Sequence, residues 1–258
     1  MFFSSPRLSH DEKSMPADIP CPDCPLRKLT AFSSNTGEEL AFIQDFRKRQ
    51  LRVAAGGEIL REGAAGGALY TLYSGWAFRY RTLNDGRRQI FNFLLPGDFI
   101  GLQEQMAGKA PHGVEALTDA TLCMFPRERL WELYRHYPSL GYDVTWISAH
   151  EELIVDENLL SVGRRSALER IAMLLIHLYK RAESVGLGDG KAVPFPINQQ
   201  HVADALGLSL VHTNKTLRRL HAHGLHELAD GRLRLGNLAA MQRLADYFAL
   251  PLRGRPLI

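Results

Sequence analysis

The sequence predicts an α+β protein in three parts: an N-terminal antiparallel β-roll, a long helix, and a C-terminal helical pair closed by a hairpin. Three observations carry this. Across residues 50–130, turn residues recur about every ten positions, as many short strands require. They are Gly56-Gly57, Gly63, Gly66-Gly67, Gly75, Asn84-Asp85-Gly86 and Pro96-Gly97-Asp98. From Tyr137 onward the apolar residues repeat at helical spacing instead. Asn198–Leu225 then reads as two short helices around Gly207, followed by an Asp230-Gly231 hairpin signal.

Residues 1–20 are polar and carry Pro6, Pro16 and Pro20, so they read as a mobile leader. Cys21-Pro22-Asp23-Cys24 follows, then a short helix over Thr36–Arg49. The stretches Ala68–Tyr73, Ala77–Thr82 and Gln89–Leu94 are rich in aromatic and β-prone residues, and such strands indicate a barrel or a double-sheet roll. In the long helix Leu140, Val144, Ile147 and Ile154 form an apolar row, with Glu151 and Asn158 at the remaining row positions. That row resembles a short dimerising coiled-coil seam with polar interruptions; a helix packed on its own roll would look the same. The gap Ser161–Arg165 is the expected hinge. Ser166 and Glu169 form a capping box ahead of the apolar run Ile171–Ile176. Residues 186–196, with three glycines and two prolines, read as a loop. The expected division is 1–35 for the cysteine-bearing extension, 36–136 for the roll, 137–163 for the dimerisation helix and 164–258 for the C-terminal unit.

In that unit Val202, Ala203 and Leu206 share one helical face of Gln199–Leu206, and Gly207 supplies the left-handed turn. Ser209 is the expected N-cap of a second helix, Leu210–His223, with Leu210, Thr213, Leu217 and Leu220 inward. This is helix-turn-helix geometry, whose second helix enters a DNA major groove. The outward face is polar and basic. Asn214 and Lys215 lie early, where side chains reach base edges, with His212 beside them; Arg218 and Arg219 lie later and suit phosphates. Gln200 and Ser209 complete the expected contacts. A solvated face on an ordinary helical pair is the bland alternative, but the turn glycine, small residue, cap and basic face coincide. Leu225–Ala229 and Arg232–Leu235 would form a wing, with Arg232 and Arg234 on one side facing a phosphate backbone. Asn237–Phe248 reads as a closing helix and Pro251–Ile258 as a loose tail.

At 258 residues and 45% hydrophobic content the chain can build two cores, and a net charge of +3 makes any nucleic-acid surface local. No apolar run reaches the length of a membrane span, and three cysteines do not make a disulfide framework. A soluble cytoplasmic protein is expected, with no membrane partner and no enzymatic activity.

The order of roll, long helix, hinge and winged helix-turn-helix resembles the Crp/Fnr family of bacterial transcription regulators. The most specific pieces are Gly57-Glu58-Ile59-Leu60-Arg61-Glu62-Gly63, Pro96-Gly97-Asp98-Phe99-Ile100-Gly101 and GLSLVHTNKTLRRL over 207–220. The resemblance covers residues 21–250. It implies a cyclic-nucleotide-binding-like jelly roll, a homodimer on near-palindromic promoter DNA, and RNA polymerase as a partner. Cyclic-AMP sensors of the family carry a Gly-Glu pair for the ribose and an Arg-Ser pair for the phosphate. Here those places fall on Gly101-Leu102 and near Ala110-Pro111-His112, so cyclic AMP is not expected. The oxygen-sensing branch holds an iron–sulfur cluster on four cysteines. Cys21, Cys24 and Cys123 match three of them, but the third N-terminal position falls on Thr30. A cluster would need a substitute ligand such as Asp23 or His112; otherwise Cys123 is a small core residue and Cys21/Cys24 a remnant or thiol switch. The family's Glu and Arg base readers correspond to Val211 and Lys215, which implies a different half-site.

Two other classes compete. The Cys21/Cys24 pair could serve thiol–disulfide exchange, although no βαβ pattern surrounds it. The roll could be a ligand-binding module without a DNA role. A metal site on His221, His223 and His226 is a weaker thought, since His221 and His223 fall on different helix faces.

Overall fold

The computed structural model describes residues 18–247 and 254–258; the leader as far as residue 17, Phe248 and residues 251–253 of the expected tail lie outside them. The chain begins with two 3₁₀ turns, Cys21–Asp23 and Pro25–Lys28, and a helix α1, Gly37–Phe46, opened by a capping box between Thr36 and Glu39. Eight strands follow: β1 Arg49–Val53, β2 Glu58–Leu60, β3 Leu69–Ser74, β4 Ala77–Thr82, β5 Arg88–Leu94, β6 Phe99–Ile100, β7 Gly113–Ala116 and β8 Ala120–Phe125, with a one-turn helix α2, Glu104–Ala107, before β7. They form two four-stranded antiparallel sheets, ordered β1-β8-β3-β6 and β2-β7-β4-β5. Leu60, Leu72, Leu94, Ile100, Val114 and Leu122 are buried together between them, so this is the double-sheet roll of the sequence expectation.

Helix α3, Leu130–His136, leads into α4, Pro138–Arg164. The row expected to be the dimer seam lies against the chain's own roll. Leu140, Val144 and Ile147 are buried with Phe99, Phe125 and Leu133, and Ile154 is buried too. Glu151 Oε2 accepts from Asn92 Nδ2 at 3.0 Å and meets Arg79 at 3.4 Å, and Asn158 Nδ2 donates to the Phe91 carbonyl at 2.6 Å. The polar positions that interrupt the row are therefore partners for the roll. The opposite face of α4 is left open: Tyr142, Ala149, Leu153, Asp156 and Leu160 are exposed, with Trp146 half-buried among them. Two residues along a helix is about 200° around it, so both rows keep a seven-residue repeat on opposite faces.

The expected hinge at Ser161–Arg165 is helical almost throughout. The break falls at Arg165 (ψ 149°) and Ser166 (ψ 161°), where the Ser166–Glu169 capping box opens α5, Ala167–Ser184. Arg170 holds this joint, donating to the carbonyls of Arg165 and Leu206. Part of the expected loop is a strand, β9 Val193–Pro194. Next come α6 Gln199–Leu206, α7 Leu210–Ala222, β10 His226–Ala229, β11 Arg232–Leu235 and α8 Leu238–Ala245. β10, β11 and β9 make one small sheet, so the wing has a third strand.

The C-terminal unit does not stand apart. Trp76, Phe78, Ile90 and Phe93 of the roll share one apolar cluster with Ile171, Leu175 and Leu178 of α5 and Val202 and Leu206 of α6. The described end of the expected loose tail is also fixed. Pro256, Leu257 and Ile258 are buried against the extension and the roll, because two aliphatic side chains there have an apolar groove to fill.

Two buried histidines give the fold a pH dependence. His112 and His226 are each 5% exposed, and neither His112 Nε2 nor His226 Nδ1 has a hydrogen-bond partner among the described residues. Burial, aided by Arg79 in one case and His221 in the other, lowers each ring from 6.5 to about 4. Below the unfolded value the unfolded chain binds protons that the folded chain refuses. Stability is then complete above pH 6.5 and drains as pH falls from there towards about 4. Thermal melts across that window are expected to show a steady loss, shallower in the His112→Gln/His226→Gln double variant; an unchanged slope would refute the assignment.

Candidate nucleic-acid interface

The helix-turn-helix is built by local chemistry. Asn198 caps α6, its Oδ1 accepting from His201 N at 2.9 Å, and Gly207 ends it at φ +63°. Ser209 Oγ accepts from His212 N at 3.2 Å and starts α7; such a cap is worth about 1 kcal/mol. Thr213, Thr216, Leu217 and Leu220 are buried beneath α7, while Leu210, expected inward, is 43% exposed at the first turn. Leu210 is the first residue of α7, at the helix end rather than on its packed middle.

The opposite face of α7 is open to solvent. Val211 is 79% exposed, and His212, Lys215, Arg218 and Arg219 are exposed, with Asn214 half-buried between them. Ser209, Val211, His212, Lys215, Thr216 and Arg219 line one open concavity along the helix. Gln200, on the exposed first turn of α6, donates to Asp204 at 2.7 Å. No ion pair engages Lys215, Arg218 or Arg219 among the described residues, so their charge is available to an anion.

The wing differs from expectation. Asp230 (φ 52°) and Gly231 (φ 68°) make the tight hairpin turn. Arg232 is committed to the neighbouring loop, donating to Asp189 Oδ2 at 2.7 Å and to the Ala192 carbonyl at 2.8 Å. Arg234 pairs with Glu227 at 3.2 Å, both side chains more than half exposed. Exposed pairs of this kind, Arg232–Asp189 included, are worth less than about 1 kcal/mol, so Arg234 is free to exchange its partner, whereas Arg232 is held in addition by the Ala192 carbonyl.

The cysteines do meet. Cys21, Cys24 and Cys123 line one small cavity with Arg27, Arg47, Gln50, Leu257 and Ile258. The residues do not fit a cluster. The cavity holds about 20 Å³, room for about one water molecule. Thr30 and Asp23 are exposed, and His112 is buried beside Phe91, so among the described residues none of the three supplies a fourth ligand. Arg27, Arg47, Leu257 and Ile258 help close the site, and burial pushes the Cys21 and Cys123 thiols up. Among the described residues no group of three or more His, Cys, Asp or Glu is arranged for a metal ion. His221, for its part, faces the carbonyl of the buried His226. In the roll, the carboxylate of Glu104 on α2 is buried and accepts from Gly67 N at 2.9 Å and Arg127 Nη2 at 3.3 Å.

Residues 50–137 match the cyclic nucleotide-binding domain and residues 169–244 the Crp-like helix-turn-helix domain. The nitrogen fixation regulation protein FixK of Rhizobium meliloti is 32% identical over 177 residues, covering 69% of this chain and 77% of that protein. The chain belongs to the Crp/Fnr family. The FixK of Bradyrhizobium diazoefficiens is 28% identical over 87% of the chain and 93% of its own length. The structure of FixK2 from Bradyrhizobium japonicum superposes with a TM-score of 0.70 at 25% identity, covering 78% of this chain and 98% of that one. This Crp/Fnr protein, of the FixK/Fnr branch, is a DNA-binding transcription regulator, and the relatives are regulators rather than thiol–disulfide proteins or isolated ligand modules. No helix among the described residues is long and apolar enough to cross a membrane.

Several residues at the joint between the halves were not legible in the sequence. Gln89 donates to the Ala205 carbonyl at 3.0 Å, Arg88 lies 4.0 Å from Asp204, and the Phe78 ring packs on His201. Each pair lies more than a hundred positions apart, and no local pattern announces such contacts.

Proposed function

We propose that this regulator binds DNA as a homodimer, with α7 of each copy in the major groove of one half-site. The observation that carries this is the unpaired basic face of α7 beside a fully buried opposite face. Val211 meets a thymine methyl, Lys215 and Asn214 read base edges, and Ser209, His212, Arg218, Arg219 and Gln200 hold phosphates. Arg234 joins them from the wing once it leaves Glu227, with Arg232 in a supporting role. The copies pair through the exposed face of α4, whose Tyr142, Trp146, Ala149, Leu153, Asp156 and Leu160 keep the spacing of a coiled-coil seam. Relatives named transcriptional activators support a further reading, in which the bound dimer contacts RNA polymerase.

Selection of binding sites from random DNA tests the base assignments. Lys215→Ala is expected to relax preference at one base pair per half-site, a loss of about 1–3 kcal/mol of discrimination. Arg218→Ala is expected to weaken all sequences alike and to lower the salt slope by about one. Equal effects of the two variants on specificity would overturn the division of roles.

A further inference from the structure

We infer that the N-terminal extension and the roll together form a peptide-binding groove whose occupant is the chain's own Arg255–Ile258, and that this latch fixes the DNA-binding half in a binding-ready orientation. The backbone of Arg255 lies alongside the extension in parallel register with Phe32. Arg255 N donates to the Ala31 carbonyl at 2.8 Å, and Ser33 N donates to the Arg255 carbonyl at 2.9 Å. Thr71 Oγ1, on a roll strand, donates to the Ile258 carbonyl at 2.5 Å. Between these ends the side chains are sorted by chemistry. Leu257 (3% exposed) packs in the cluster that contains Leu26 and Phe32. Ile258 (4% exposed) packs in the other, with Cys21, Phe46 and Phe125. The Arg255 guanidinium lies over the Phe32 ring, 5.5 Å from its centre, and reaches Asp98 at 2.5 Å.

That last contact makes the groove a latch. Asp98 is 1% exposed, and its other oxygen takes Arg181 of α5 at 2.5 Å and the Leu95 N–H at 2.7 Å. Arg181 also donates to the Phe93 carbonyl at 2.8 Å. One carboxylate of the roll therefore joins the first helix beyond the hinge to a segment that follows the winged helix. The C-terminal unit is tied to the roll at both of its ends, with α6 docked on β5 between them. The proposed DNA surface stays open in this arrangement: Gln200, Val211, Lys215, Arg218 and Arg219 are exposed. The latch occludes nothing. What it supplies is a fixed joint, and two recognition helices that must meet half-sites one helical turn apart bind better when the joint is already ordered.

The test compares the full chain with a variant ending at residue 253 and with Arg255→Ala. The full chain is expected to melt in one transition. The shortened chain is expected to melt in two, with the winged-helix part first, and to lose about tenfold in affinity for a palindromic site through the freed joint. Arg255→Ala should shift the same way by a smaller step, which keeps the test informative if the shortened chain misfolds. A synthetic peptide Gly-Arg-Pro-Leu-Ile added in trans should return the shortened protein to a single transition, and a scrambled peptide should not. One unchanged transition in both variants would overturn the groove as a latch, whatever the DNA affinity. Two transitions with unchanged or tighter DNA binding would overturn its binding-ready role. Failure of the full chain itself to bind DNA would fault the functional assignment and leave the melting result standing.

Discussion

Asp98→Asn is expected to cost this regulator roughly 3–5 kcal/mol of stability, the penalty for breaking a buried ion pair from one side. The substitution keeps the shape of the side chain and removes its charge. Burial alone would raise the Asp98 pKa, but Arg181 and Arg255 facing it, with the Leu95 N–H, hold it at about 2. The neutral amide would leave two guanidinium groups, each with about 15% or less of its side chain exposed, without their shared counter-charge. For a chain of this size the loss corresponds to a fall in melting temperature on the order of 10 °C. Glu58→Gln, which breaks the exposed pair with Arg61, should change it little, since such pairs contribute under about 1 kcal/mol. A melting temperature for Asp98→Asn within the error of the parent would refute the keystone role. Because the carboxylate is depressed, its contribution is present above its ordinary 3.8 and is lost as pH falls through about 2. That window lies below the one set by His112 and His226, and the lowered His177, at about 3, bridges the two.

Leu160→Glu is expected to leave the protein monomeric at micromolar concentration and to lower its affinity for a palindromic site by on the order of a hundredfold, because simultaneous use of two half-sites is lost. On α4, Leu160 is 48% exposed, Leu153 57% and Tyr142 69%. These large apolar groups lie on the side of the helix away from the roll, so a charge there does not disturb the chain's own core. Asp156 occupies the same row, and two copies would bring like charges together across the seam. Asp156→Leu is therefore expected to tighten the dimer. Sedimentation equilibrium reads both. A Leu160→Glu protein that remains dimeric, with native circular dichroism, would move the interface elsewhere. Substitution of Glu151, which the sequence placed on the seam, is expected instead to destabilise the monomer fold, since Glu151 is enclosed with Arg79 and Asn92.

The misplacement of the seam shows where sequence patterns run out. The row Leu140, Val144, Ile147 and Ile154 is the more strongly aliphatic, and it belongs to the intramolecular core. The row Tyr142, Trp146, Ala149, Leu153 and Leu160 keeps the same repeat with weaker residues. A helix apolar on two faces yields two valid heptads, and periodicity alone does not say which faces the roll. The cysteines teach the same lesson. The resemblance to the oxygen-sensing branch grouped Cys21, Cys24 and Cys123, and they do share a cavity. What closes one side of that cavity is Leu257 and Ile258, more than a hundred positions from the roll strands they touch, and no local signal marked that tail as anything but loose.

The sequence by itself determined the elements whose causes are local. The Ser166 capping box, the Gly207 turn, the Ser209 cap, the Asp230-Gly231 hairpin and the polar face of α7 each follow from neighbours within about a helical turn. The helix-turn-helix was legible for that reason, and with it the DNA-binding function. Only the tertiary structure decided which face of α4 is free, that Arg232 is spent on Asp189, that the thiol cavity is closed, and that Asp98 gathers Arg181 and Arg255 from opposite ends of the C-terminal unit. Those outcomes depend on which distant surfaces meet, and desolvation and charge pairing act on a side chain only once its neighbours across the fold are in place.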